Sequence, residues 1–305
     1  MNNMERIAFP EDFPSKEEML VVLKKTFEKS WRTDTNCDDI EEWLSNFSGT
    51  VYCTEDERRL ALWLLCNFTF YNEDEINYLC RMLFHKLVHQ ILIDKGLRTE
   101  DDAESCIQNS AFTSIGKASE SGGLMLYHFR QEANLDLERF IFPTGIATTN
   151  CDCIVCIDDV MLSGGTASRF FHDHKSEITN KKVYYTALIT TDEAVKKLND
   201  QGVSVISCIM LDERNRMFSE QSLAFYKYPE LINYAKTIAE NYGKLIEPSK
   251  PLGYKNGQYS FGFYYNVPNN CLPIFWSSNQ WKPIFPRKEK YQNAKQAKRQ
   301  YSYFI

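Results

Sequence analysis

Ile154-Val155-Cys156-Ile157-Asp158-Asp159-Val160-Met161-Leu162-Ser163-Gly164-Gly165-Thr166 is the stretch in which residue type and order together dictate a structure. Four apolar residues in a row predict a strand buried on both faces, as in a parallel sheet. Two adjacent acids, a Gly-Gly turn and hydroxyls then lead into Ala167-Ser168-Arg169-Phe170-Phe171, so a helix is expected from about Ala167. A strand-to-helix turn built on Gly164 and Gly165 lets backbone N–H groups approach an anion closely, and the helix dipole favours negative charge there. Ser163 and Thr166 add hydroxyl donors. Asp158 and Asp159 cannot face a phosphate, because like charges repel; they suit sugar hydroxyls or a hydrated divalent ion beside it. These residues predict a cradle for a sugar phosphate.

Outward from this stretch, strands and helices alternate. Residues 183–189 read as a strand, 193–199 as a helix and 203–211 as a strand, which is the rhythm of an α/β fold with a mainly parallel sheet flanked by helices. Ala111-Phe112 and Leu124-Met125-Leu126-Tyr127 read as strand material around the loop Gly116-Lys117-Ala118-Ser119-Glu120-Ser121-Gly122-Gly123. Upstream, Met19, Leu20, Val22, Leu23 and Phe27, then Ile40, Trp43, Leu44 and Phe47, recur at helical spacing. Thr54-Glu55-Asp56-Glu57 and Asn72-Glu73-Asp74-Glu75 read as helix starts, and Trp43, Trp63, Phe68, Phe70 and Tyr71 as helical core. The expected organisation is a helical region over 1–105, an α/β domain over 106–290 and a basic tail over 291–305. After one more helix at 230–242, residues 248–287 are aromatic and irregular, and a Lys/Arg/Gln-rich stretch spans 288–299.

At 305 residues and 43% hydrophobic, the chain suffices for one large or two smaller cores. A net charge of -6 argues against nucleic-acid binding over the whole surface. No apolar run approaches the roughly 18 residues of a membrane span, and the N-terminus lacks a basic start followed by an apolar run, so neither secretion nor membrane insertion is expected. Ten cysteines scattered through predicted helices and strands read as free thiols of a cytoplasmic protein. His85 and His89 share a helix face near Cys80, but Lys86 stands where zinc-protease helices carry Glu, so the pair reads as structural. Cys153 and Cys156 point to opposite faces of a strand and read as core thiols, and His172 and His174 as solvated surface.

The stretch 154–166 resembles the phosphoribosyl-pyrophosphate signature of the type I phosphoribosyltransferase family, an apolar strand followed by Asp-Asp and a Gly-Gly-Thr turn. The resemblance implies that fold, with Asp158 and Asp159 as the catalytic pair on the ribose hydroxyls. It implies further that Leu162, Ser163, Gly164, Gly165 and Thr166 hold the 5′-phosphate, and that Mg²⁺ is held by the ligand near the two acids, with no direct protein ligand. The family's pyrophosphate loop follows its first core strand; Lys117, Ser121 and Gly122 correspond to it in order. The implied reaction is departure of pyrophosphate through an oxocarbenium-like state, driven by positioning and charge neutralisation. Some purine-specific members carry an acid where this chain has Leu162, so a general base is missing and transferase activity stays open.

Residues 116–287 also resemble a phosphoribosyltransferase-like group of bacterial conflict systems, including retron-type antiphage modules. The resembling pieces are Leu211-Asp212-Glu213-Arg214-Asn215-Arg216, Pro251-Leu252-Gly253-Tyr254, Asn266-Val267-Pro268-Asn269-Asn270, Leu272-Pro273-Ile274-Phe275-Trp276 and Phe285-Pro286-Arg287. This resemblance implies an antiphage effector with a reverse transcriptase and small DNA as partners, and an oligomer is compatible with it. Arg214 and Arg216, just past a predicted strand end, are candidate phosphate contacts. Asn266, Asn269 and Asn270 with Trp276 read as a tight turn in preference to a base contact. Three functions stay open: a pentosyltransferase or nucleotide-handling effector, a non-catalytic ligand-sensing or partner-binding subunit, and a hydrolase of nucleotide or nucleoside glycosidic bonds.

Overall fold

A computed structural model describes residues 5–33, 35–115 and 121–287. The elements are α1 (Lys16–Lys25), a π-helical turn (Thr26–Trp31), α2 (Cys37–Leu44), α3 (Thr54–Cys66), β1 (Thr69–Tyr71), α4 (Glu73–Lys95) and α5 (Glu100–Gln108). There follow β2 (Ser110–Ser114), α6 (Ser121–Ala133), β3 (Cys153–Met161), α7 (Gly165–Asp173), α8 (Lys175–Ile178) and β4 (Lys182–Thr191). The chain continues through α9 (Asp192–Asn199), β5 (Ser204–Leu211), α10 (Ile232–Ile246) and β6 (Phe261–Phe263). The Asn72 start is a capping box: its side chain accepts from Glu75 N–H while Glu75 accepts from Asn72 N–H, satisfying donors that a helix end leaves unpaired. Thr54 is already helical, and Cys53 occupies the cap position without a side-chain bond.

Of the described residues, those up to Phe70 and those from Lys227 form one compact unit, and Tyr71–Tyr226 form another. The expected helical region of residues 1–105 is thus divided, with α1, α2 and α3 in the first unit and α4 and α5 in the second. The basic stretch 288–299 and the tail 291–305 lie outside the described residues.

The second unit is built on a parallel sheet of order β2-β3-β4-β5, with Ala111 opposite Ile154, Ile154 opposite Val183 and Tyr185 opposite Val205. The α/β expectation is met. Side chains alternate across the sheet. Ile154, Cys156, Val183, Tyr185 and Ala187 enter one core with Ala167, Phe170 and Phe171 of α7 and Ala194 and Leu198 of α9. The alternate residues face α4 and α6, as where the Phe112 ring lies 5.9 Å from Phe129 and the Tyr184 hydroxyl donates to Asp94 at 3.0 Å.

Leu124-Met125-Leu126-Tyr127, expected as a strand, is helical within α6. A four-residue apolar run fits either period, and here Gly122, Met125 and Phe129 are the buried positions, spaced three and four apart as a helix requires. The strand expected at 154–157 runs on to Met161, because Asp158 pairs with Ala187, Val160 with Ile189 and Met161 with Thr190.

In the first unit, Phe68 follows α3 and Phe70 lies on β1, as does Tyr71 at the start of the second unit, none of them on a helix as expected. Phe68 stacks 4.5 Å from Phe285 and Phe70 lies 5.4 Å from it, so these rings serve a core shared with the far end of the chain. Trp43 and Trp281 both donate their indole N–H to Ile274 O, at 2.7 and 2.8 Å. The fully buried Glu57 accepts from Gly49, Val51 and Tyr52 N–H at 2.8, 2.8 and 3.1 Å and from the Tyr242 hydroxyl of α10 at 2.5 Å. A buried carboxylate is tolerated only when so completely satisfied. Glu57→Ala should lower the unfolding free energy by about 3 kcal/mol, because three backbone donors lose their acceptor. A urea-denaturation series checks this, and a loss under about 1 kcal/mol would show that loop 49–52 is held by other contacts.

Candidate functional site

Asp158 and Asp159 sit on β3 itself, within the hydrogen-bonded ladder. Alternation turns Asp158 toward the face carrying Ile154 and Cys156, and Asp159 to the other. Asp159 is buried and Asp158 half-buried. The Tyr185 hydroxyl on β4 donates to Asp158 Oδ2 at 2.6 Å, Asp159 N–H donates to Asp158 Oδ1 at 2.9 Å, and Val160 N–H donates to Asp159 Oδ1 at 2.8 Å. Burial, and after it the neighbouring charge of Asp159, raise the Asp158 carboxyl well above the usual range, while the bonds from Tyr185 and the Asp159 amide act the other way. Burial and then the Asp158 charge raise the Tyr185 phenol.

The turn is fixed from beneath. Gly164, at φ 60° and ψ 6°, is the N-cap of α7, and this left-handed conformation is strained for any residue with a Cβ. A Cβ there would also come 3.4 Å from the Ala194 backbone of α9. One hydroxyl joins the layers: Thr191 Oγ1 donates to Leu162 O at 2.9 Å and accepts from Ala194 N–H at 3.2 Å, capping α9. Leu162 is buried, Ser163 half-buried and Thr166 exposed. The helix expected from about Ala167 begins at Gly165, which places the amides of the turn at a helix N-terminus.

The sequence matches the PRTase-CE family over residues 40–287. The chain belongs to the PRTase-CE family, a phosphoribosyltransferase-like family. Among solved structures it is similar to the crystal structure of orotate phosphoribosyltransferase from Aeropyrum pernix, at 20% identity and a TM-score of 0.24. That likeness covers 35% of this chain and 62% of the other, less than two thirds of its length. No curated protein matches the chain.

In this PRTase-CE protein the other predicted residues divide. Ser121 and Gly122 open α6 just beyond β2; a Cβ on Gly122 would lie 2.8 Å from Ser114 Cβ, so close helix–strand approach demands glycine there. Lys117 lies outside the described residues. Arg214 is gripped by its own turn, its guanidinium donating to both Asp212 oxygens at 2.6 to 3.1 Å, and Arg216 pairs with Glu213 at 2.9 Å. Asp212 also caps that turn by accepting Arg214 N–H at 2.8 Å.

Asn266, Asn269 and Asn270 serve the chain's own turns, as the sequence reading favoured. Asn269 O accepts from Tyr254 N–H at 2.7 Å, Asn270 Nδ2 donates to Tyr254 O at 3.1 Å, and Arg287 Nε donates to Asn266 Oδ1 at 3.1 Å. Trp276 is buried, donates to Cys271 O at 3.1 Å and has the Arg287 guanidinium 4.8 Å from its ring centroid.

His85 and His89 are exposed on α4, whereas Cys80 is buried. His172 is exposed, and His174 is half-buried with its ring stacked 4.3 Å from Phe170. Among the described residues no three His, Cys, Asp or Glu side chains gather as a metal site, and no helix is long and apolar enough to cross a membrane. Mg²⁺ prefers hard oxygen donors, and an ion arriving on a phosphorylated ligand would take its oxygens from that ligand, with the Asp158 and Asp159 carboxyls near it and not coordinating it.

Sequence reading missed Tyr185 and Thr191. Both sit on β4, one strand away from the residues they hold, and only the register of β3 against β4 reveals them.

The raised carboxyl of Asp158 has a definite sign. The unfolded chain ionises it near pH 3.9, the folded chain only at higher pH, so its ionisation costs stability progressively as pH rises through that window. Asp158→Asn should therefore stabilise the ligand-free protein at pH 7.5 relative to wild type, and the difference should shrink toward pH 4. Paired thermal melts at the two pH values check this; an Asn variant less stable at pH 7.5 than at pH 4, relative to wild type, would contradict the assigned direction.

Proposed function

We propose that this protein binds phosphoribosyl pyrophosphate, or a related ribose phosphate, at residues 158–166. The observation that carries the reading is a carboxylate pair within the C-terminal half of a buried strand that leads, three residues after Met161, to left-handed Gly164 at a helix N-terminus. Membership of a phosphoribosyltransferase-like family supports it.

In this reading Asp158 and Asp159 accept hydrogen bonds from the ribose hydroxyls. The backbone N–H groups and hydroxyls of Leu162, Ser163, Gly164, Gly165 and Thr166 hold the 5′-phosphate, with the dipole of α7 favouring its charge. Lys117, Ser121 and Gly122 meet the pyrophosphate. Mg²⁺, bound with the ligand, supplies charge neutralisation. The chain's own contribution is orientation of the ribose against fixed carboxylates, which eases departure of pyrophosphate from the anomeric carbon without a protein nucleophile. Arg214 and Arg216 reach a phosphate only by releasing Asp212 and Glu213, and they are assigned to that role in the bound state. The setting we propose is cytoplasmic, as an antiphage effector whose partners include a reverse transcriptase and small DNA, with self-association open to it.

A second reading, a ligand-sensing or partner-binding subunit without turnover, is favoured by Leu162. An apolar, buried residue there offers no base to activate an acceptor. A nucleotide or nucleoside glycosidic-bond hydrolase, with water as acceptor, is the third. Equilibrium binding of phosphoribosyl pyrophosphate with Mg²⁺ tests what the three share. Wild type should bind, and Asp158→Asn with Asp159→Asn should weaken binding about a hundredfold, two charge-assisted hydrogen bonds being worth about 3 kcal/mol. Pyrophosphate release with a nucleobase panel would identify a transferase, release of base from nucleotides a hydrolase, and binding without products a sensor. If wild type does not bind, the reading is wrong.

A further inference from the structure

We infer that Tyr185 is the positioning residue of the candidate site, its buried hydroxyl holding Asp158 in the orientation from which it accepts a sugar hydroxyl. The inference rests on the ribose-phosphate reading for its role, but its geometry stands apart from any ligand. Tyr185 lies opposite Cys156 in the β3–β4 register, two residues before Asp158, so its ring runs along the face from which Asp158 projects. It is wholly buried, in one core with Ala167, Phe170 and Phe171 of α7, and Phe171 meets its ring edge-on at 6.2 Å. The hydroxyl is therefore carried on a ring that the core immobilises.

A carboxylate only accepts, so the 2.6 Å bond has a fixed polarity, with Tyr185 donating to Oδ2. The Asp159 amide holds Oδ1 at 2.9 Å. Two donors on two oxygens, with the Asp159 side chain beside them, fix the plane of the carboxylate. Without the tyrosine hydroxyl, a partly buried oxygen loses its partner, and the carboxylate turns toward solvent or takes up a proton. The titratable groups around it are Asp159 and Cys156 on β3 and Tyr185 on β4, with Arg169 on α7 and Asp192 and Glu193 on α9 exposed at the surface.

The adjacent residue supplies the control. Tyr184 is also buried on β4, but its hydroxyl bonds to Asp94 on the opposite face of the sheet. In ligand-free protein, ¹³C-carboxyl NMR, with Asp158 assigned through Asp158→Asn, follows the titration of Asp158. Tyr185→Phe should move its midpoint to higher pH, and 3-fluorotyrosine in place of Tyr185, a stronger donor of the same shape, should move it lower. Tyr184→Phe should leave it in place. In calorimetry with phosphoribosyl pyrophosphate and Mg²⁺, Tyr185→Phe should weaken binding about tenfold, the worth of one charge-assisted hydrogen bond, and shift the acidic limb of binding upward, while Tyr184→Phe stays within about twofold.

An Asp158 titration that neither Tyr185 substitution moves overturns the inference; should Tyr185→Phe fail to fold, the fluorotyrosine protein alone decides. Absence of binding by wild type would refute the ribose-phosphate reading and leave the titration to decide whether Tyr185 holds Asp158. Binding by wild type that Tyr185→Phe leaves unchanged would overturn the positioning role while sparing that reading.

Discussion

Two carboxylates side by side on a strand that helices cover are the constraint around which the α/β unit is arranged. Desolvation penalises the Asp158 charge, and the neighbouring charge of Asp159 adds to it. The fold offsets this with donors that cannot move away: the Tyr185 hydroxyl from the neighbouring strand and the amides of Asp159 and Val160 from the same one. What remains is a carboxyl, that of Asp158, whose proton affinity is raised. Strain of this kind is characteristic of sites built for ligands in preference to stability.

The turn after the acids obeys the same logic. Its course is set by Gly164 in the left-handed region and by a single threonine hydroxyl that joins Leu162 to the first turn of α9. That support fixes the turn where the first amides of α7 lie, at a helix N-terminus. The candidate site is consequently a product of four elements, β3, α7, β4 and α9, although its signature is written in the β3–α7 stretch alone.

That distribution explains what the sequence disclosed. The β3–α7 stretch and the strand–helix alternation after it were legible because hydrophobic period and turn chemistry agree there. Leu124-Met125-Leu126-Tyr127 was misread because four apolar residues satisfy either period; burial of Gly122, Met125 and Phe129 on one stripe decides for a helix, and that packing depends on α4 and the sheet. Tyr185 and Thr191 were invisible as site residues because a tyrosine and a threonine in an apolar strand look like ordinary strand formers. Only register, which pairs Cys156 with Tyr185, brings the hydroxyl to Asp158. The basic side chains Arg214 and Arg216 were legible as chemistry but not as geometry, since their pairing with Asp212 and Glu213 is a property of the folded turn.

The first unit shows why recognisable motifs need not mark a ligand. Asn266, Trp276 and Arg287 carry the amide edges, ring face and cation from which a base-binding site is commonly made. Here they meet one another: Arg287 donates to Asn266 and lies over Trp276, and Trp276 gives its N–H to Cys271 O. Glu57 joins the N-terminal helices to α10 through Tyr242, and Trp43 reaches Ile274, so described residues from before 71 and from after 226 share one unit. A segment with this task must keep its aromatic and amide residues in fixed places whatever the protein binds. The family match from residue 40 to residue 287 therefore takes in this mutually satisfied cluster as well as the candidate site on β3.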